Sequence, residues 1–307
     1  WLQCVPQADW PLRRSLNASD KVMLKRQFLT QNGLKLTGDV GGDANARCVI
    51  LMHGGGQTRF SWLKAGETLA DAGYRFVNYD ARGHGESDWA GHGGYTLEQY
   101  ARDLSAVVSE VASPVALVGA SLGGVTALSA MAAGMRPAAV VLVDIVPNPD
   151  LRGVERIREF MLSRPNGFGS LDEVVDAIAA YNPHRPRPAD PGGLRPNLRQ
   201  SSDGRYHWHW DPAFLGRRIE DELEELAQTI EGARVAGDVP VLLVRGGDSD
   251  VVSDKGIAIL RDVLPRLEIA EVGGAGHMVV GDRNDAFNAV ALEFLGRHFP
   301  TERRSTT

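Results

Sequence analysis

Cysteine is nearly absent from this chain, with two in 307 residues, Cys4 and Cys48. That excludes a disulfide-built scaffold. Two cysteines so far apart read as free thiols in a reducing compartment, so a cytoplasmic location is expected. The Cys and His spacings form no zinc motif, and no metal or other cofactor is expected. No apolar run approaches the roughly 20 residues a spanning helix needs. Positive charge is also in deficit: 33 Lys and Arg face 39 Asp and Glu, for a net charge of −6. No basic stripe offers nucleic acid a footprint, and no Lys/Arg-rich amphipathic helix offers a membrane one. Internal repeats and low-complexity tracts are missing. The chain opens Trp1-Leu2-Gln3-Cys4-Val5, without Met and without a basic-then-apolar signal pattern, which reads as a truncation boundary.

What is present is apolar and regularly spaced. An apolar content of 43% at this length suits one large α/β domain, or a core with an insertion. Val22 to Val40 holds two strand-like runs around the turn Gln31-Asn32-Gly33, which predicts a hairpin. Cys48–Met52, Val115–Val118 and Ala139–Val143 are short apolar runs of the kind buried on both faces of a sheet, and Arg75–Tyr79, Val239–Arg245 and Arg266–Val272 read as further strands. Helical patterns alternate with them at Trp62–Ala72, Thr96–Val111, Gly124–Met131, Lys255–Val263 and Asp285–His298. Strand-helix alternation predicts a mostly parallel central sheet flanked by helices. The alternation stops from 148 to 237, a stretch richer in charge, Pro and aromatics. Its helical patterns at Gly153–Met161, Leu171–Tyr181 and Pro212–Ile230 predict an inserted helical cap, with Pro183–Pro188 as a loop. The expected divisions are an N-terminal extension (1–22), a first core segment (23–147), the cap (148–237), a second core segment (238–299) and a tail (300–307).

One stretch carries chemistry directly. Gly119-Ala120-Ser121-Leu122-Gly123 follows a buried strand and opens a helix. A serine between small residues at such a sharp turn fits a nucleophile elbow: its hydroxyl is exposed and the next backbone N–H is free for an oxyanion. Leu122 is therefore one expected oxyanion donor. The second is expected from His53-Gly54-Gly55-Gly56, where glycines allow backbone N–H groups close to a substrate, and Gly55 is the chosen residue. These glycines are not followed by Lys-Ser/Thr, so a phosphate loop is not expected. Among eight histidines, His277 stands out, after Gly273-Gly274-Ala275-Gly276 and directly beyond the last strand. From there it can reach across the strand ends toward Ser121 as its base.

These motifs together resemble the α/β-hydrolase fold superfamily, in particular its cap-bearing bacterial serine esterases. The resemblance rests on HGGG at 53–56, D-A-R-G-H-G-E-S at 80–87, G-A-S-L-G-G at 119–124 and G-A-G-H at 274–277, and spans residues 25 to 298 apart from the cap. It implies a Ser-acid-His triad. It also implies that Arg82 and His84 fix a loop rather than catalyse. The acid departs from the common pattern. Aligning Gly246 with the usual glycine puts Ser249, not Asp, in the usual acid slot, with Asp248 and Asp250 beside it. Some members of the superfamily place the acid after the strand that follows the elbow helix and carry a serine in the later slot, where it assists the histidine. Asp144 is therefore the favoured acid with Ser249 as its partner; Asp250 is the runner-up, then Asp248.

The implied activity is hydrolysis of a small or medium acyl ester by water through an acyl-serine. Alternatives on the same triad are a lactone, an amide, a carbon–carbon bond or cofactor-free perhydrolysis, and more remotely a non-catalytic small-molecule receptor. For the substrate pocket, His53, Gly54, Trp62, Trp208 and Trp210 are candidates, with Phe60 and Trp89 further ones. His53 also reads as a structural hydrogen-bonding residue, and the aromatics could equally pack the cap onto the core. His207 and His209 lack a third ligand for a metal. Apolar cap surface is compatible with a homodimer, though no seam marks one.

Overall fold

The computed structural model describes residues 23–183, 187, 188 and 190–301. The expected N-terminal extension with Cys4, part of the 183–188 loop, and most of the expected tail lie outside the described residues. The hairpin β1 (Leu24–Leu29) and β2 (Lys35–Gly41) opens the core. Six strands then run parallel: β3 (Cys48–Met52), β4 (Arg75–Tyr79), β5 (Val115–Ala120), β6 (Ala139–Val143), β9 (Val241–Gly246) and β10 (Leu267–Val272). Together these form one eight-stranded sheet in the order β1-β2-β4-β3-β5-β6-β9-β10. The sheet is mostly parallel and flanked by helices, as the strand-helix alternation implies.

Period-two patterning divides β3 cleanly. Val49 and Leu51 join one apolar cluster, while Cys48, Ile50 and Met52 join the other. Between β3 and β4 lies α1 (Leu63–Asp71), entered through a short 3₁₀ turn at Arg59–Trp62. Helix α2 (Leu97–Ser109) starts at a capping box, in which the Thr96 hydroxyl accepts from Gln99 N–H and the Gln99 side chain accepts from Thr96 N–H. Helix α3 (Leu122–Ala132) follows the elbow; α7 (Asp254–Val263), α8 (Val279–Asp282) and α9 (Asn284–His298) complete the core.

Between Val143 and Val241 the chain forms α4 (Leu151–Leu162), α5 (Leu171–Tyr181) and α6 (Ile219–Gly232). It also forms a two-stranded antiparallel pair, β7 (Leu198–Gln200) and β8 (Tyr206–Trp208). A purely helical reading of this stretch misses that pair, because its strands are three residues long and show no usable alternation. Its apolar cluster is small: Phe168, Val174 and Leu198, with Trp208 packed against it. Helix α6 is different, since Leu226 and Ile230 join the main core beneath α3. Among the described residues no helix is long and apolar enough to cross a membrane.

Close backbone approach explains the elbow glycines. A Cβ on Gly123 would lie 2.3 Å from the Met52 carbonyl oxygen, and one on Gly119 would lie 2.3 Å from Gly123 backbone atoms. The elbow therefore sits directly on the end of β3, beside the HGGG loop. Two buried imidazoles hold that loop. His53 Nδ1–H donates to the Gly54 carbonyl at 2.8 Å, while its Nε2 accepts from Ala81 N–H at 2.9 Å. His84 Nδ1–H donates to the Arg82 carbonyl at 3.0 Å, while its Nε2 accepts from Gly56 N–H at 3.1 Å. Both rings must be neutral to do this, and burial lowers the pKa of His53 to about 4 and that of His84 to about 3. Arg82 anchors the same segment through a bidentate pair with Asp103, both bonds at 2.6 Å, buried under α2.

Two expectations follow. Gly123→Ala should destabilise the fold by about 1–3 kcal/mol, because backbone has to move. Gly296→Ala, on an exposed helical position with nothing within 4 Å, should stabilise it by about 0.5–1 kcal/mol. Thermal unfolding of both variants checks the pair. The second concerns pH. Unfolded, both histidines protonate near 6.5; folded, they stay neutral down to about 4 and about 3. Between those values the unfolded chain holds more protons, so stability should fall as pH drops from 6.5 toward 4. His84→Gln should flatten that slope, and an unchanged slope would count against a neutral His84.

Candidate active site

Three strand ends converge. Ser121 follows β5, Asp144 follows β6 and His277 follows the loop beyond β10. Ser121 and Asp144 both have positive φ, 45° and 52°. Ser121 pairs its φ with ψ −112°, outside the left-handed helical region, so the turn is strained. Its N–H donates to the Val143 carbonyl at 3.0 Å, and its carbonyl accepts from Val125 N–H at 3.0 Å as α3 begins.

Asp144 is fully buried and its carboxylate accepts from three donors. Oδ1 accepts from Gly246 N–H at 3.0 Å. Oδ2 accepts from His277 Nδ1–H at 2.7 Å and from the Ser249 hydroxyl at 2.6 Å. Ser249 Oγ in turn accepts from Val251 N–H at 3.2 Å and Val252 N–H at 3.3 Å, so its proton is directed at Asp144. Gly246 also lets the histidine loop come close, since a Cβ there would lie 2.3 Å from the Gly276 carbonyl oxygen. Asp250 does not meet His277; it pairs with Arg156 at 2.8 Å. Asp248 is exposed. The geometry thus brings His277 and Ser249 to one carboxylate, Asp144, and leaves Asp250 and Asp248 apart from it.

A cavity of about 770 Å³ lies over these strand ends, with Ser121, Leu122, His277, Gly54 and Gly55 in its wall. Its volume suits a small to drug-sized organic ligand. Among the hydrogen bonds of the described residues none joins Ser121 to His277, the looseness common before a reacting complex tightens the contact. A Cβ on Gly54 would lie 3.5 Å from Ser121 Cβ, which places the HGGG loop against the elbow. Gly54 N–H donates to Gln57 Oε1 at 3.1 Å and Gly56 N–H to His84. Gly55 N–H has no such partner among the described residues, and neither has Leu122 N–H at the first turn of α3. Those two amides remain available beside Ser121.

The expected pocket residues divide. Trp208 and Trp210 border the cavity, as does Phe60. Trp62 also borders it, yet it is 1% exposed and packs its ring on Phe287 with centroids 5.6 Å apart. His53 is buried behind the loop, not in the cavity wall, because both its nitrogens serve backbone groups. Trp89 is exposed and lies under the Arg199 guanidinium, away from the cavity. Sequence reasoning missed Phe214 and Met161. A Cβ on Gly55 would lie 3.1 Å from the Phe214 ring, and one on Gly56 would lie 2.8 Å from Met161 Cε. For Met161 a signal existed: Val154, Ile157 and Met161 form the apolar stripe of α4, and all three border the cavity. Phe214 lies in a short 3₁₀ turn at Pro212–Leu215, where no period can emerge.

Comparison with known proteins bears on the whole arrangement. Residues 49–290 match the model of the alpha/beta hydrolase family. The chain is 30% identical to the esterase Rv0045c of Mycobacterium tuberculosis over 249 residues, 76% of this chain and 78% of that one. It is 28% identical to the mouse sn-1-specific diacylglycerol lipase ABHD11 over 273 residues, 83% of this chain and 82% of that one. The crystal structure of esterase Rv0045c superposes with a TM-score of 0.71 at 27% identity, covering 91% of this chain and 92% of that one. The match covers the elbow, the strand-end carboxylate and the histidine loop in one continuous span, and the chain belongs to the alpha/beta hydrolase family.

Proposed function

We propose that this hydrolase cleaves a carboxylic ester through an acyl-enzyme on Ser121, with His277 as base and Asp144 as the acid behind it. The observation that carries the reading is the His277 Nδ1–H bond to a buried Asp144 carboxylate, with His277 in the cavity wall that also holds Ser121. A carboxylate accepts only, so Nδ1 carries the proton and Nε2 is the basic nitrogen. Nε2 removes the Ser121 proton as Oγ attacks the ester carbon. The tetrahedral oxyanion takes hydrogen bonds from Leu122 and Gly55 N–H, two amides with no hydrogen-bond partner among the described residues. The imidazolium, stabilised by Asp144, gives its proton to the leaving alcohol. Water, deprotonated by the same nitrogen, attacks the acyl carbon, and the imidazolium returns that proton to Ser121 Oγ as the acid is released. Ser249 holds Asp144 in place and does not touch the reacting atoms.

A fluorophosphonate probe and a p-nitrophenyl ester series test this directly. Native protein should label at Ser121 and turn over at least one ester; Ser121→Ala should do neither. Unlabelled Ser121 would sink the reading, and labelling without turnover of any ester, lactone or amide would point to a receptor. Asp144→Asn should lower kcat by roughly 10³–10⁴-fold, because it removes the charge behind His277. Asp250→Asn should stay within about twofold of native, since its partner Arg156 lies outside the triad. Ser249→Ala removes one charge-assisted bond and should cost about tenfold, between those limits.

A further inference from the structure

Part of the cavity wall is charged. Leu97 and Tyr100 on α2, Arg158 on α4, Arg217 just ahead of α6, and Glu222 and Glu225 on α6 all border the cavity. They form one connected corner. Leu97 N–H donates to Glu225 Oε1 at 3.0 Å, and Tyr100 lies one helical turn beyond Leu97. Arg217 pairs with Glu225, and Arg158 Nη1 reaches Glu222 Oε2 at 3.3 Å. The second nitrogen of Arg158 donates to the Leu215 and Arg217 carbonyls, so it also ties α4 to the chain entering α6.

One group in this corner is unsatisfied. Tyr100 is 2% exposed, and among the described residues its hydroxyl has no hydrogen-bond partner. Burial, then Tyr95, Asp103 and Glu222 against the pull of Arg82, pushes its pKa well above 10, so it keeps its proton. A buried hydroxyl without a partner costs stability and is rare in a settled core. Burial also raises the Glu222 carboxyl, against the pull of Arg158 and Arg217.

We infer that this corner binds a hydroxyl group carried by the substrate away from its scissile ester, accepting from Tyr100 and donating to Glu222. The inference rests on the reading of Ser121 as nucleophile. Two arginines and two glutamates balance, so a charged chain end of either sign would meet as much repulsion as attraction while losing its hydration. A hydroxyl donates and accepts at once, and matches a wall that holds both an O–H donor and a carboxylate. The rest of the wall includes Val154, Ile157 and Phe160, which favour the alkyl chain between the two ends.

The test uses two series from four to ten carbons: p-nitrophenyl alkanoates against their ω-hydroxy, ω-amino and ω-carboxy counterparts, and acetates of 1-alkanols against those of α,ω-diols. At one chain length in one series the hydroxyl compound should exceed its parent in kcat/KM by about tenfold, the effect of a hydrogen bond to a charged group. Tyr100→Phe and Glu222→Gln should each bring that ratio close to one. The ratio is internal to each variant, so loss of folded enzyme cancels. Tyr100→Phe should unfold no earlier than native, which separates recognition from a structural role. A ratio below one at every length in both series, a lead for the amine or carboxylate, or a ratio unmoved by both variants would overturn the inference. With Ser121 labelled, such results leave the hydrolase reading standing; an unlabelled Ser121 overturns both.

Discussion

The Asp144 carboxylate is out of contact with solvent, and three donors from two other strand ends close on it. An uncompensated charge there would cost several kcal/mol, and each donor offsets part of that cost. Gly246 and Ser249 bring the end of β9 to it, and His277 brings the loop after β10. The carboxylate therefore aligns three neighbouring strand ends as well as a histidine ring. This explains why Asp144 tolerates a φ of 52°: the left-handed turn lets one residue both end β6 and aim its side chain at β9. Strain at one backbone position is offset by three charge-assisted hydrogen bonds.

The other half of the site depends on space rather than charge. Gly119 and Gly123 let the elbow press against the end of β3, which sets Ser121 beside Gly54. The HGGG loop is then fixed from behind by neutral His53 and His84 and covered by Phe214 and by Met161 of α4. Its amides are consequently sorted. Gly54 and Gly56 spend theirs on side chains, and Gly55 keeps its own for the cavity. Gly85 N–H donates to the His209 carbonyl and Asp211 N–H to the Gly83 carbonyl, both at 2.7 Å. The loop that carries His84 is thus bonded to the inserted segment. Movement of that segment would reach the HGGG loop through one histidine.

The sequence showed those features that local geometry or strong periodicity enforces. The β3, β5 and β6 runs are apolar on both faces, and the elbow needs its two glycines, so both were legible. Asp144 was legible only through the serine in the later slot, since an aspartate at a strand end is ordinary; its three donors come from up to 133 positions away. His53 was half legible: its motif was clear, yet nothing local says that both nitrogens serve backbone groups. Trp62 and Trp89 show the limit of residue type. The same large ring packs in the core in one case and lies on the surface in the other, and only tertiary contacts separate them. The β7–β8 pair and Phe214 lie in pieces too short to have a period.

The cavity brings two electrostatic regimes into one space. Near Ser121 the wall offers backbone amides, groups whose hydrogen bonds strengthen as charge develops on an oxyanion. At the Tyr100–Glu222 corner, fixed charges cancel and a lone hydroxyl waits for a partner. A group held in that corner takes no part in the chemistry. Its binding energy is nonetheless available to hold the ester carbonyl against the elbow, because the alkyl chain between them transmits position. Discrimination then comes chiefly from the mismatch. A plain alkyl end would leave the Tyr100 hydroxyl buried without a partner, and an end of either charge would upset a balanced set of ion pairs. A site built on unsatisfied polar groups rejects an analogue lacking the partner more sharply than an apolar pocket rejects a missing methylene.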